Sequence, residues 1–214
     1  MSLNDIWRNV TEELGFYTKD TFDYVPSVPG IYAWFYPLII TSREDPIKFI
    51  QEVNTILNYD SLTRDLPIQN ARLEFAWKNI HLNIMLNYKD PTMGKFLEIW
   101  DMASSDEEYF DLLRRSVLKA SIFMPPLYVG KAKSLYRRCQ QHLLGRDDEN
   151  NFHRRFTTFA RKNSVVFDKV SDLIFVCIRT EKEEKSTNDK NVDDIEGLVE
   201  EVIKYLAKPL YSIK

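Results

Sequence analysis

Cysteine is scarce in this chain: Cys139 and Cys177 are the only two. A single pair builds no disulfide framework and offers no metal-ligand spacing to argue from. Long apolar runs are also missing. None approaches the ~18 residues that a membrane-spanning helix needs, so no membrane partner is expected. The opening Met1-Ser2-Leu3-Asn4-Asp5 lacks the basic and apolar regions of a secretory signal peptide. The expectation is a soluble, cytoplasmic protein. An excess of positive charge is absent too. The formal net charge is -3, the wrong sign for a nucleic-acid binder. No internal repeat is present.

What the chain does have is core material. Its 214 residues are 44% hydrophobic and 13% aromatic, which excludes a disordered polymer. That length suits one large domain or a small domain with an insertion. The charge is unevenly spread. Residues 121–179 carry 11 Lys/Arg against 5 Asp/Glu, whereas residues 43–111 carry 7 against 13. A basic face on an acidic protein still attracts phosphate locally.

The basic segment contains Pro126-Leu127-Tyr128-Val129-Gly130-Lys131-Ala132-Lys133-Ser134-Leu135-Tyr136-Arg137-Arg138-Cys139-Gln140-Gln141-His142. The alternation of Leu127 and Val129 with Tyr128 predicts a half-buried strand. Gly130 allows a sharp turn or a close approach. Ser134 is suited to cap the following helix. On that helix Arg138 and His142 are four apart and share a face. Tyr128, Lys131, Arg138 and His142 are therefore expected to converge into a cationic pocket with a phenol at its rim, fit for a phosphate. Taken singly, each of these residues has an ordinary structural explanation; the spacing of the set carries the functional one.

This run resembles the second half of the signature of the GIY-YIG nuclease superfamily. The first half resembles it as well, as Gly30-Ile31-Tyr32. The arginine ten residues after Tyr128 and the histidine four beyond it follow the family's spacing. The branch most similar is that of restriction and homing endonucleases. The Tyr-Val-Gly-Lys-Ala-Lys run also resembles the excision-repair branch. The resemblance covers residues 26–40 and 123–214 and says nothing of residues 41–122. In the family the two tripeptides sit close together on one hairpin, whereas Tyr32 and Tyr128 are 96 residues apart. A long helical insertion is the expected reason, and independently folded insertions cost little closure entropy.

The resemblance implies an α+β fold: a small three-stranded antiparallel sheet flanked by helices, with a mostly helical inserted subdomain. The expected organisation is residues 1–40 for the N-terminal helix and first strand, 41–122 for the insertion, and 123–214 for the rest of the core. Along the chain, a helix is predicted over residues 3–14 and a strand over 31–40. Helices follow at 46–57, from Asp45-Pro46 onward, and at 69–87, with a break at 58–67 between them. A turn is predicted at 90–94, then helices at 96–102 and 107–122. Leu143-Leu144-Gly145 reads as a helix stop. A basic helix spans 152–162 and a third strand 172–179. A charged loop covers 180–191. Asp193 and Glu196 form a plausible capping box for a last helix whose buried stripe is Ile195, Leu198, Val199, Val202, Ile203 and Leu206.

The resemblance also implies roles. Tyr32 would act as, or position, the general base. A free phenol titrates near pKa ~10, so Lys131 and Arg138 would have to stabilise its phenolate. Tyr128 would line the pocket, Arg138 would clamp the scissile phosphate with its planar fork, and His142 would stand close to phosphate and nucleophile. A glutamate on the last helix would hold Mg2+ or Mn2+. Counting back from Pro209 gives Glu200, with Glu196 as the alternate. Ser212 stands where the family has asparagine. Lys133, Arg137, Arg154, Arg155, Arg161 and Lys162 would contact flanking phosphates.

The expected function is a metal-dependent DNA endonuclease of restriction type, acting on double-stranded DNA. A palindromic cutter would be a homodimer, since protein symmetry mirrors site symmetry. Two alternatives stand beside it. One is a non-catalytic nucleic-acid or protein binding module on the same fold, motivated by Ser212 and the acidic insertion. The other is a structure-specific DNA repair nuclease.

Overall fold

The computed structural model describes residues 13–57, 91–145, 152–180, 197–203 and 209. The chain divides into two compact units: Met1–Pro37 with Ala120–Lys214, and Leu38–Lys119. The second unit lies between the two tripeptides in sequence. The fold is α+β, and its sheet is antiparallel throughout.

The sheet of the first unit contains β1 (Leu14–Tyr17), β2 (Gly30–Phe35), β3 (Tyr128–Ala132) and β4 (Ile174–Arg179), in the order β1-β4-β2-β3. Four strands replace the three expected. The added one, β1, starts at Leu14, the last residue of the predicted helix, and residue 13 is helical. Gly15 is a poor helix former, and Phe16 and Tyr17 favour a pleated strand. Pairing from Leu14 with Ile178 to Tyr17 with Phe175 adds β1 to the outer edge of β4. Residues 1–12 of that predicted helix lie outside the described residues. β2 stops at Phe35, short of the predicted residue 40, just before Pro37 would interrupt a ladder.

Helix α4 (Leu135–Leu144) and helix α5 (Phe152–Lys162) pack with this sheet. The core centres on Trp34, fully buried, whose ring meets Phe22, Phe152 and Phe175 at centroid separations of 5.7, 6.0 and 4.9 Å. α5 buries Phe152, Phe156, Phe159 and Ala160, the apolar stripe of a basic helix.

The second unit contains α1 (Pro46–Leu57), α2 (Pro91–Ser104) and α3 (Glu107–Lys119). α1 starts where Asp45-Pro46 predicts, with the Asp45 carboxylate accepting from Lys48 N at 2.8 Å. α2 begins at Pro91, so residues 91–94 of the turn predicted at 90–94 are its first helical turn, with proline at the position that needs no N–H. Ile40, Trp100 and Phe110 form this unit's buried core, flanked by Phe49, Phe96, Leu113 and Val117. The predicted helix over 69–87 and the break before it lie outside the described residues.

Residues 197–203 form helix α6. Its facing differs from the amphipathic expectation. Leu198, Val199 and Val202 are exposed, whereas Gly197, Glu200 and Ile203 are half-buried. Among the described residues, no helix is long and apolar enough to cross a membrane.

Candidate active site

Strand alternation puts Tyr32 and Trp34 on one face of β2. Tyr32 pairs with Gly130 of β3 on one side and with Cys177 of β4 on the other. Its ring stacks with Tyr128 at 6.0 Å and with Phe175 at 5.3 Å. A Cβ at position 130 would stand 2.6 Å from the Tyr32 hydroxyl oxygen. Glycine is what lets the phenol lie across β3.

α4 brings the other groups. Ser134 caps it, its hydroxyl accepting from Arg137 N at 3.3 Å. Leu135 N and Tyr136 N donate to the carbonyls of Val28 and Pro26 at 2.9 and 3.0 Å. The first-turn donors of α4 are thus already used by the chain. An anion here would be met by side chains rather than by a bare helix N-terminus. Gly145 ends the helix in the left-handed conformation, φ 63°.

One turn apart on α4, Arg138 and His142 meet the same phenol. Arg138 Nε donates to the Tyr32 hydroxyl at 3.1 Å, and His142 Nε2 lies 2.8 Å from that oxygen. Arg138 Nη1 donates to Gln141 Oε1 at 3.3 Å. His142 is 1% exposed, and its ring lies against Tyr128 and Trp34. Burial, then the Arg138 charge, then His153 push its pKa down to about 3. The imidazole is therefore neutral. Tyr32 is also 1% exposed. Burial first and Tyr128 second hold its pKa well above the usual 10, and the charge and hydrogen bond of Arg138 pull the other way without prevailing. At neutral pH the pair is a phenol and a neutral imidazole, not a standing phenolate.

The structure thus gathers Tyr32, Tyr128, Arg138 and His142. Lys131 does not join them. It pairs with Ile31, so alternation directs its side chain from the opposite face of the sheet. Its ammonium lies 3.2 Å from where a Cβ on Gly197 would stand. Of the two cations expected beside the phenol, Arg138 is the one bonded to it. Glu200 follows Gly197 by one helical turn and is half-buried. Glu196 and Ser212 lie outside the described residues. Lys133, Arg137, Arg154, Arg161 and Lys162 are exposed, and Arg155 is half-buried. Arg161 Nε lies 3.7 Å from Asp168 Oδ2, which partly engages its charge.

Two contributors escape the sequence reading. Gln141, three residues after Arg138, could have been found from helical spacing. His153 at the start of α5 has no such signal. Cys139 and Cys177, beside this network, are buried thiols that burial pushes up to about 12 and about 11. Among the described residues, no three His, Cys, Asp or Glu side chains gather as a metal cluster. No family model matches the chain, and neither does any curated protein or solved structure.

Proposed function

We propose that this chain is a metal-dependent endonuclease of GIY-YIG type that hydrolyses phosphodiester bonds in double-stranded DNA. β4, β2 and β3 would be the family's three-stranded core, with β1 as an added edge. One observation carries the reading: the Tyr32 hydroxyl is held between Arg138 Nε and His142 Nε2. Those groups come from the two tripeptide regions, 96 residues apart in sequence between Tyr32 and Tyr128.

The neutral resting pair sets the chemistry. Tyr32 need not exist as a phenolate if it relays a proton. An attacking water gives its proton to the Tyr32 oxygen while the phenol's own proton passes to His142 Nε2. The resulting hydroxide attacks phosphorus, and the 3′ or 5′ oxygen leaves with the bond electrons and takes up a proton from solvent water. Arg138 would clamp the phosphate through its fork. That anion offsets the Arg138 charge that opposes protonation of His142, so the relay becomes easier with substrate in place. Because Tyr32 is 1% exposed, a water would reach it only after a neighbouring side chain moves aside.

Glu200 supplies a single half-buried carboxylate. It would be the residue to hold Mg2+ or Mn2+, ions that keep waters and share phosphate oxygens; its helix lies beside the Lys131 ammonium, whose side chain leaves the sheet on the face opposite Tyr32. When bound, such an ion would polarise a phosphoryl oxygen.

The burial of Tyr32 favours a second reading, a binding module in which Tyr32, His142 and Arg138 only brace the fold. The test is magnesium-dependent cleavage of plasmid and branched DNA by the native chain, Arg138→Ala and Tyr32→Phe. Discrete cuts by the native chain, reduced by both substitutions at least ~100-fold, support the nuclease. A folded native chain that cuts neither substrate, yet binds DNA in a salt-sensitive way, gives the lead to the binding module. Cuts confined to branched DNA favour the repair alternative.

A further inference from the structure

The Tyr32–His142 pair needs an imidazole held to within a few tenths of an ångström, yet His142 sits in the last turn of α4. Helix ends fray, and their final carbonyls need partners from outside the helix. α5 provides such a partner. His153 Nδ1 lies 2.8 Å from the carbonyl oxygen of His142. A carbonyl only accepts, so His153 carries its proton on Nδ1 and donates.

One further bond holds the His153 backbone, and one contact seats its ring. Its own carbonyl accepts from Thr157 Oγ1 at 2.8 Å, one turn along α5. Its face lies over Gly145, where an added Cβ would stand 3.1 Å from Cδ2 and 3.2 Å from Cγ. Residue 145 is thus required to be small by the ring as well as by its positive φ of 63°. The C-cap of α4 and the first turn of α5 are built around this imidazole.

We propose that His153 is a positioning residue, which pins the last turn of α4 so that the His142 ring stays in reach of the Tyr32 hydroxyl. This rests on reading the Tyr32–His142 pair as the working site. His153 itself touches neither the phenol nor any reacting atom. Its effect runs through the backbone of His142: from α5, through the carbonyl, to a ring on the same residue. A helix-capping role alone would stabilise α4 without deciding where the His142 ring points.

The experiment is nitrogen-15 NMR of the histidine side chains in the full chain. The native protein is expected to show a protected Nδ1–H on His153 and a single fixed tautomer on His142. His153→Ala is expected to keep the fold by circular dichroism while the His142 ring nitrogens move toward tautomer-averaged shifts. His153→Asn, whose amide can still donate, is expected to restore part of the change. If the native chain cleaves DNA, His153→Ala lowers kcat roughly 10- to 100-fold with KM unchanged, the scale of a misplacement near 1 Å. His142 signals that do not move in His153→Ala overturn the proposal. So does the absence of a protected Nδ1–H in the native protein, a measurement that needs no variant to fold. A chain that cuts nothing but shows the tautomer change keeps the pin and loses only the nuclease.

Discussion

The two compact units bury their aromatic residues to different ends. In the first, Trp34, Phe152 and Phe175 surround a polar network, Tyr32 with His142 and Arg138. In the second, Trp100 uses its indole N–H to hold the Arg43 carbonyl at 2.8 Å, and the Arg43 guanidinium lies 4.8 Å over the Phe110 ring. In the second arrangement the indole N–H and the guanidinium each serve the packing of a neighbour. The first carries a burial cost that an apolar core would avoid. A phenylalanine at 32 and a leucine at 142 would fill the space without two desolvated titratable groups. The proposed relay would account for that cost. The charge distribution agrees, with the basic segment 121–179 in the first unit and the acidic segment 43–111 in the second.

The sharpest way to break the comparison is to empty each core in turn. Trp34→Ala removes a fully buried ring beside His142, and Trp100→Ala a ring that is 3% exposed. Each is expected to cost about 3–5 kcal/mol in its own unit. Urea unfolding followed by the His142 NMR signals should separate them. Trp34→Ala should shift those signals before unfolding begins, and Trp100→Ala should leave them in place. If Trp100→Ala disturbs His142 as strongly, the units do not close their cores separately.

Gly130→Ala sharpens the same contrast with a single methyl group. The added carbon would press on the Tyr32 hydroxyl and on the ring of Tyr128, 3.0 Å away. Overpacking of this kind costs about 1–3 kcal/mol. Gly94→Ala in α2 is the control, because its Cβ meets nothing within 4 Å and alanine is the better helix former. Thermal melts should fall for the first and hold or rise for the second. A Gly130→Ala protein with a native melt and a native Tyr32 ring signal would remove the close approach on which the site's geometry depends.

Much of this frame is legible in the sequence where the signal is local. Ser134 and Gly145 mark the ends of α4 because capping chemistry needs no distant partner. Asp45-Pro46 marks the start of α1 for the same reason. The α+β class is what the family resemblance implies, and the order of predicted strands and helices agrees with it. What is not legible is decided at long range. β1 is a four-residue strand whose existence depends on Ile178 and its neighbours, more than 150 residues away in sequence. Helical phase puts Leu198, Val199 and Val202 inward on α6, yet Gly197 and Glu200 take that side, with the Lys131 ammonium close by. Lys131 itself was placed with Arg138 because it adjoins Gly130, and strand alternation sends it from the other face. Nor does the sequence say how the contest at Tyr32 ends. Proximity to Arg138 predicts a lowered pKa, and complete burial reverses it.

That contest leaves a thermodynamic mark at His142. In the unfolded chain its imidazole titrates near ~6.5, and in the fold it is held down to about 3. Between those values the unfolded chain binds a proton that the folded chain refuses. Stability from this residue is therefore complete above the unfolded pKa and is lost as pH falls toward the folded one. The slope is at most about 1.4 kcal/mol per pH unit. Urea unfolding at pH ~7 and pH ~5 should show the native chain losing up to about 2 kcal/mol, a loss that His142→Asn does not share. The difference between the two proteins cancels the carboxylates that titrate in both. Equal slopes in the native chain and in His142→Asn would mean that solvent reaches His142 freely. The first unit would then have no buried titratable pair to set against the core of the second.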